Sequence, residues 1–333
     1  MTNKPIIVVQ NTSYHFETTL SIYQSLFSMG LNVYLYRCAP NRFDQLNFLK
    51  EINVRLADEQ IIKEACCGFV VSAYPNPQIS IADPIPNSRY QIFKTLHNRL
   101  IYISHRFKNE SDYTQNVNPI TKKNSICLSP IAEKIGLDYF NLIEMPMKEQ
   151  NVKINNVFKL TAQHHFGLNG RDVGVISEIL SNVKKDSFKI SLLGTKTNNI
   201  LDKFEKDLSD KISVHEGLSE KKFYDIINLN TNILLCLIDD KTSNQTYIDE
   251  RYSTNFSQSA SFNKPVFCHE CFEEIYEIPG IYYNDKNLIE KFEELLSLSE
   301  VEYSNLVAKF DSFKKKKKEH NDKVLNKKIS YFC

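Results

Sequence analysis

The sequence predicts an α/β protein built from two domains, each with a parallel β-sheet. Apolar runs of strand length alternate with helical segments along most of the chain, which is typical of βαβ units. Several of these runs are apolar at successive positions, as expected for strands that are buried on both faces of a sheet. The length of 333 residues and the hydrophobic content of 42% suit two cores of roughly 150 residues each.

The first half of the chain is predicted to form one α/β domain. Its strands are predicted at residues 5–9, 32–36, 68–71, 100–103 and 125–128. A helix is predicted over residues 15–29, because Leu20, Tyr23 and Leu26 lie on one side of it. Gly30 follows this helix, as expected of a glycine that ends a helix.

The second half repeats the same alternation. Strands are predicted at residues 188–194, 212–217, 232–238, 265–267 and 281–283, and helices at residues 220–228, 256–262 and 286–298. Ser219 is placed to cap the helix that opens at Glu220. We therefore expect one domain over residues 1–150, a second over residues 151–310 and a basic C-terminal helix or tail over residues 311–333.

The most informative segment spans residues 250–266. Glu250 and Gln258 are eight residues apart, and Pro265 follows Gln258 by seven. This segment resembles a motif of retaining glycosyltransferases of the GT-B type, in which a Glu, seven residues and a second Glu precede a Pro and an apolar strand. Gln258 stands in place of the second Glu and is still able to hydrogen-bond a ribose hydroxyl. Asn263 replaces a Gly, and Asn tolerates a left-handed backbone.

The resemblance implies two Rossmann-like parallel-sheet domains that face each other across a cleft. It implies an acceptor on the N-terminal domain and a nucleoside-diphosphate sugar on the C-terminal domain. The chain would then be a glycosyltransferase that moves a sugar to a glycan or lipid-linked acceptor. No cofactor besides this donor and no divalent metal is implied, because this fold stabilises the leaving diphosphate with helix ends and cationic side chains.

Two segments carry the residues that we expect to bind the donor. In the resembling family, the first loop of the second domain has an Arg and, five residues later, a Lys. His164 and Asn169 stand at these positions. A second set lies at the start of the predicted helix over residues 256–262, where backbone N–H groups favour phosphate. The donor-binding candidates are His164, Gly170, Arg171, Gly194, Ser253, Thr254, Asn255 and Gln258.

The catalytic candidates are His15, His105 and Glu250. Both histidines follow predicted strands, and open α/β sheets bind ligands beyond the carboxyl ends of their strands. An unperturbed His titrates near neutral pH, as a general base requires, and Glu17 is placed to orient His15. A base at His15 suits inversion, whereas the Glu250 spacing resembles retaining enzymes, so both outcomes stay open.

Two other functions are compatible with the sequence. One is a non-catalytic relative that binds a glycan or a partner, favoured by the absence of the Arg and the Lys at positions 164 and 169. The other is a sugar-nucleotide 2-epimerase, which has a similar double-domain architecture. The net charge of +1 argues against a nucleic-acid partner.

The remaining features concern location. The first predicted strand starts too early for a signal peptide, and no apolar run approaches the roughly 20 residues that cross a bilayer. The 8 cysteines are expected to be free thiols of a cytoplasmic protein. The run Cys268-His269-Glu270-Cys271 lacks the second ligand pair of a zinc site. The lysines of residues 314–328 form either a solvated helix end or a patch for peripheral contact with anionic lipid.

Overall fold

The protein is described by a computed structural model that covers nine ranges of the chain. These are residues 3–10, 16–38, 41, 43–71, 95–104, 123–163, 173–194, 210–239 and 253–333. They form two compact units. The first unit contains the described residues up to 147 together with 315–333, and the second contains the described residues between 148 and 314.

The first unit contains a parallel sheet with five described strands in the order β2-β1-β3-β4-β5. Its elements are β1 (Ile6–Gln10), α1 (Phe16–Ser28), β2 (Val33–Arg37), α2 (Gln45–Glu51), α3 (Glu59–Glu64), β3 (Cys67–Val71), β4 (Leu100–Ser104) and β5 (Ser125–Cys127). Val8 in β1 pairs with Leu35 in β2 and with Phe69 in β3. These three side chains are fully buried, because helices cover both faces of such a sheet.

The second unit contains a parallel sheet with six described strands in the order β11-β10-β9-β6-β7-β8. Its elements are β6 (Phe158–Gln163), α4 (Gly174–Asn182), β7 (Phe188–Gly194), β8 (Ile212–Glu216), α5 (Glu220–Asn230), β9 (Ile233–Cys236), α6 (Thr254–Phe262), β10 (Val266–His269), α7 (Glu273–Tyr276), β11 (Gly280–Tyr283) and α8 (Leu288–Ser297). The two strands β6 and β9 lie at the centre of the sheet, and α6 connects β9 to β10.

The last helix, α9 (Glu300–Ile329), is 30 residues long. It runs without a break through the predicted boundary between residues 310 and 311. Its basic run is not a uniformly solvated face, since Lys317 and Lys328 are buried. Lys328 Nζ lies 2.8 Å from Asp138 Oδ2, and Lys318 Nζ lies 3.7 Å from Glu144 Oε1. None of the helices among the described residues is both long and apolar enough to span a bilayer.

Most predicted elements of the described residues are present, and two predicted caps are confirmed. Ser219 Oγ accepts a hydrogen bond from the Lys222 N–H at 3.4 Å, and Gly30 has a φ of 75° at the end of α1. Strand β6 and helices α2, α3 and α4 were not predicted. Each is short, at 6, 7, 6 and 9 residues respectively, which leaves little room for a periodic pattern.

The expectation that all cysteines are free is wrong for one pair. Cys66 and Cys333 form a disulfide, with Cα atoms 5.4 Å apart and a sequence separation of 267. The other six are free thiols. The pairing depends on where the residues after α9 lie in the first unit, and sequence spacing carries no information about that contact.

Candidate functional site

The candidate site lies at the amino end of α6, where the chain leaves the carboxyl edge of the second sheet. Helix α6 starts at Thr254 and follows β9, so its amino end faces the edge at which parallel sheets bind ligands. Ser253 precedes the helix in an extended conformation, with φ −93° and ψ 133°, and its side chain makes no capping hydrogen bond. The first backbone N–H groups of a helix have no intrahelical acceptor, and they favour anions.

Three polar side chains at this helix start are buried and lack hydrogen-bond partners. Ser253 and Asn255 are each 1% exposed and Gln258 is 4% exposed. Within the described part of the chain, the hydroxyl of Ser253, both amide atoms of Asn255 and Oε1 of Gln258 have no hydrogen-bond partner. Leaving such a group unsatisfied costs roughly 1–3 kcal/mol. Three of them on the first two turns of one helix indicate a place prepared for a polar ligand.

Gln163 adds a fourth polar group at the same sheet edge, and sequence reasoning missed it. It is the last residue of β6, is buried, and its Nε2 has no partner. Strand β6 pairs with β9, with Ala162 beside Leu235. Gln163 therefore lies next to the carboxyl end of β9, the strand that precedes α6. A polar residue that ends an apolar strand is the signal that could have identified it.

The rest of α6 is packed on all sides, which fixes the position of its amino end. Phe256 stacks on Tyr276 with ring centroids 4.2 Å apart, and Phe262 lies 6.0 Å from Tyr224. The helix ends at Asn263, which has φ 53° and ψ 43°. The left-handed backbone predicted for this position is therefore confirmed, and Asn adopts it more readily than most residues.

Lys264 follows immediately and is a buried cation that the sequence did not identify. Its side chain is 1% exposed, and its Nζ donates a hydrogen bond to the Gln150 carbonyl at 2.7 Å. Burial lowers the pKa of Lys264 to about 8, because a low-dielectric environment disfavours the charged form. This contact ties the end of α6 to the segment that precedes β6.

Several predicted site residues lie outside the described part of the chain. They are His15, His105, Glu250, His164, Gly170 and Arg171. Their roles remain predictions. Gly194 is described as the last residue of β7, where it pairs with Glu216. The structure brings together Ser253, Thr254, Asn255 and Gln258 on one helix start.

The run from Cys268 to Cys271 has a structural explanation. Cys268 and His269 are the last two residues of β10, and Glu270 opens a short 3-10 turn. Cys268 is fully buried, and its pKa is raised well above the usual value, first by burial and then by a hydrogen bond with Cys236.

Solved structures with the same fold include glycosyltransferases. A glycosyltransferase from Rickettsia africae ESF-5 matches with a TM-score of 0.58 and 12% identity, over 99% of each chain. AviGT4, involved in avilamycin A biosynthesis, matches with a TM-score of 0.56 and 9% identity, over 97% of this chain and 98% of its own. HepE of Anabaena, solved with UDP and glucose, matches with a TM-score of 0.54 and 8% identity, over the same shares.

No protein-family model matches the sequence, and no curated protein matches it either. The structural matches establish the fold alone. That fold is the α/β architecture of GT-B glycosyltransferases, with two parallel sheets in two units, and the predicted fold class is confirmed at this level.

Proposed function

We propose that the protein is a glycosyltransferase that binds a nucleoside-diphosphate sugar at the amino end of α6. The observation that carries the proposal is the set of buried polar atoms without partners on Ser253, Asn255 and Gln258. A diphosphate accepts hydrogen bonds from backbone N–H groups and from an amide Nδ2, and the helix dipole favours its charge. A ribose hydroxyl both donates and accepts, which suits Oε1 of Gln258.

Electrostatics support a polyanionic ligand at this position. The first turn of α6 contains no acidic residue, so no carboxylate of its own competes with phosphate for the helix end. Arg171 or His164, which come after β6 in the sequence, would supply the charge that the family places on an Arg and a Lys. The similar fold of HepE, solved with UDP and glucose, is consistent with a donor of this class.

On the acceptor side, we propose a glycan or a lipid-linked glycan bound by the first unit. His15 and His105 are the proposed bases, since in the sequence His105 directly follows β4 and His15 comes shortly after β1. Transfer without a divalent metal is part of the proposal, because helix N–H groups and cationic side chains take over the charge of the leaving diphosphate.

Contact with a lipid surface is proposed for a smaller set of lysines than the sequence indicates. Lys315, Lys316 and Lys323 in α9 are exposed. By contrast, Lys327 donates to both carboxylate oxygens of Asp138 at 2.9 Å. Each Lys near an anionic membrane surface adds about 1 kcal/mol of attraction.

Calorimetry with nucleoside diphosphates and their sugars tests the donor site directly. We expect at least one nucleoside diphosphate to bind and to raise the midpoint of thermal unfolding by mass action. Gln258→Ala should weaken binding of that ligand by about 1–2 kcal/mol, because a ribose hydrogen bond is lost. Absence of binding by every nucleoside diphosphate would contradict the proposal.

A second experiment separates a transferase from a non-catalytic binding protein. The bound donor is incubated with the protein in the presence of a chelator, and release of nucleoside diphosphate is followed. Slow hydrolysis of the donor supports a transferase that works without a metal. Tight binding without any turnover, even with candidate acceptors present, would favour the binding protein instead.

A further inference from the structure

Three cysteines meet in the first unit, at the amino end of β3. The Sγ atoms of Cys66, Cys67 and Cys333 lie within 4.8 Å of one another. Cys66 is 4% exposed and Cys67 is fully buried, whereas Cys333 is exposed. Cys66 and Cys333 are joined as a disulfide. The cluster therefore combines one exposed cysteine residue with a buried partner.

This disulfide is an exception, because most cysteines of the chain are free thiols. The other six cysteines are free thiols, and five of them are buried. Chains stabilised by disulfides pair most of their cysteines, whereas a chain that keeps buried thiols reduced uses an occasional disulfide for redox sensing or catalysis. The bond between Cys66 and Cys333 fits the second pattern.

Contacts other than the disulfide also hold α9 in the first unit. Asn321 makes three hydrogen bonds with Asn141, and its Nδ2 donates to the Asn141 carbonyl at 2.8 Å. His320 stacks on Tyr139 with ring centroids 4.1 Å apart. These contacts lie roughly three to four helical turns before Cys333. After reduction they would still hold the Cys333 thiol close to Cys66, so the pair remains ready to form again.

We propose that Cys66 and Cys333 form a reversible oxidation site that reacts with a small disulfide of the glutathione class. The exposed Cys333 thiolate attacks one sulfur of glutathione disulfide and releases one glutathione thiolate. The Cys66 thiolate then attacks the Cys333 sulfur of this mixed disulfide and releases the second. Two protein thiols are thereby oxidised to one disulfide, one glutathione disulfide is reduced, and the two thiol protons pass to the two glutathione molecules.

Cys67 is close to the pair but is not expected to exchange with it. Burial raises the pKa of Cys67 to about 12, and the smaller influence of the Arg99 charge opposes this. The structure keeps Cys67 as a free thiol, while the bond joins Cys66 to Cys333. The bond stays between Cys66 and Cys333, and Cys67 provides a matched control.

The test uses the full chain, equilibrated in buffers with graded ratios of reduced to oxidised glutathione. Free thiols are trapped with an alkylating reagent, and the digested protein is mapped by mass spectrometry. We expect the peptide that links Cys66 to Cys333 to increase with the share of oxidised glutathione and to disappear when the protein is returned to the reduced form. Cys333→Ser should abolish the link, whereas Cys67→Ser should retain it.

Hydrogen exchange of residues 329–333 provides an independent measurement. The Cys333 N–H donates to the Ile329 carbonyl at 3.0 Å, and this last turn should exchange more slowly in the oxidised wild type than in the reduced wild type. Cys333→Ser should exchange at the fast rate in both buffers. The proposal is overturned if no link forms at any ratio, if the link involves Cys67, or if it persists in fully reduced glutathione.

Discussion

Asn255 offers the sharpest test of the donor site, because its side chain is buried with neither amide atom hydrogen-bonded. Asn255→Ala should weaken binding of the nucleoside diphosphate by about 1–2 kcal/mol, the effect of losing a hydrogen bond to a charged ligand. The same change should leave the midpoint of thermal unfolding of the ligand-free protein unchanged or raised, since it removes an unsatisfied buried group.

Ser257→Ala serves as the control on the same helix. The Ser257 hydroxyl donates to the Thr254 carbonyl at 2.8 Å, so its hydrogen bond is satisfied without any ligand. Its replacement should leave ligand affinity close to that of the wild type. Unchanged affinity in Asn255→Ala would remove this amide from the proposed site.

His15 and His105 are expected to affect turnover rather than donor binding. If either is the general base, its replacement by Ala should lower turnover by roughly 10²–10⁴ while donor affinity measured by calorimetry is retained. Near-normal turnover in both single variants would exclude both as the base. The anomeric configuration of the product, read by NMR, separates the mechanisms, since inversion favours His15 and retention favours the interpretation centred on Glu250.

Lys264 should make stability depend on pH in the alkaline range. Its pKa falls from 10.5 to about 8 on folding, so between these values the unfolded chain binds a proton that the folded chain does not. Stability contributed by Lys264 therefore rises with pH across this window, by up to about 2–3 kcal/mol. Thermal unfolding of the wild type and of Lys264→Met at a series of pH values should show that the variant loses this rise.

Lys148→Met is the matched control for this pH series. Lys148 is exposed, so its charge is hydrated in the folded and the unfolded protein alike. The variant should retain the alkaline rise of the wild type. An identical pH profile in Lys264→Met and the wild type would show that the buried amine does not titrate as inferred.

One pair of buried asparagines contributes to holding helix α9 in the first unit. Asn321 is 1% exposed, and it satisfies both the N–H and the carbonyl of Asn141. Asn321→Leu leaves these two backbone groups without partners, and each costs roughly 1–3 kcal/mol. We expect a clear loss in the midpoint of thermal unfolding. Asn326→Leu, at an exposed position of the same helix, should change it little.

Patterns within single elements explain which local features were predictable. Strand β1 was recognisable because its first four residues are apolar, and the start of α5 because Ser219 caps it. Strand β6 and its terminal Gln163 were missed because a Lys and a Gln interrupt the apolar run. In the sheet, Lys159 is exposed and Gln163 is the last residue of the strand. The sequence of β6 alone does not show this, because it depends on how β6 pairs with its neighbouring strands.

The exposed lysines of α9 give the proposed lipid contact a direct test. A triple change of Lys315, Lys316 and Lys323 to Glu should reduce sedimentation of the protein with phosphatidylserine vesicles, and raised salt should weaken binding of the wild type in the same direction. The control is Lys189→Glu, at an exposed position of β7. Lys327→Glu would be a poor control because it breaks the contact with Asp138. Equal sedimentation of wild type and triple variant would remove α9 as a membrane contact.

Taken alone, the amino-acid order was enough to predict the fold class and most strands of the two sheets. These features depend on local hydrophobicity, caps and turn residues, which neighbours in the chain specify. The unpartnered state of Asn255, the buried amine of Lys264 and the bond between Cys66 and Cys333 depend on long-range packing. Side chains lose their water, and residues up to 267 positions apart come into contact, only when the chain is folded. A local sequence pattern therefore cannot predict these features.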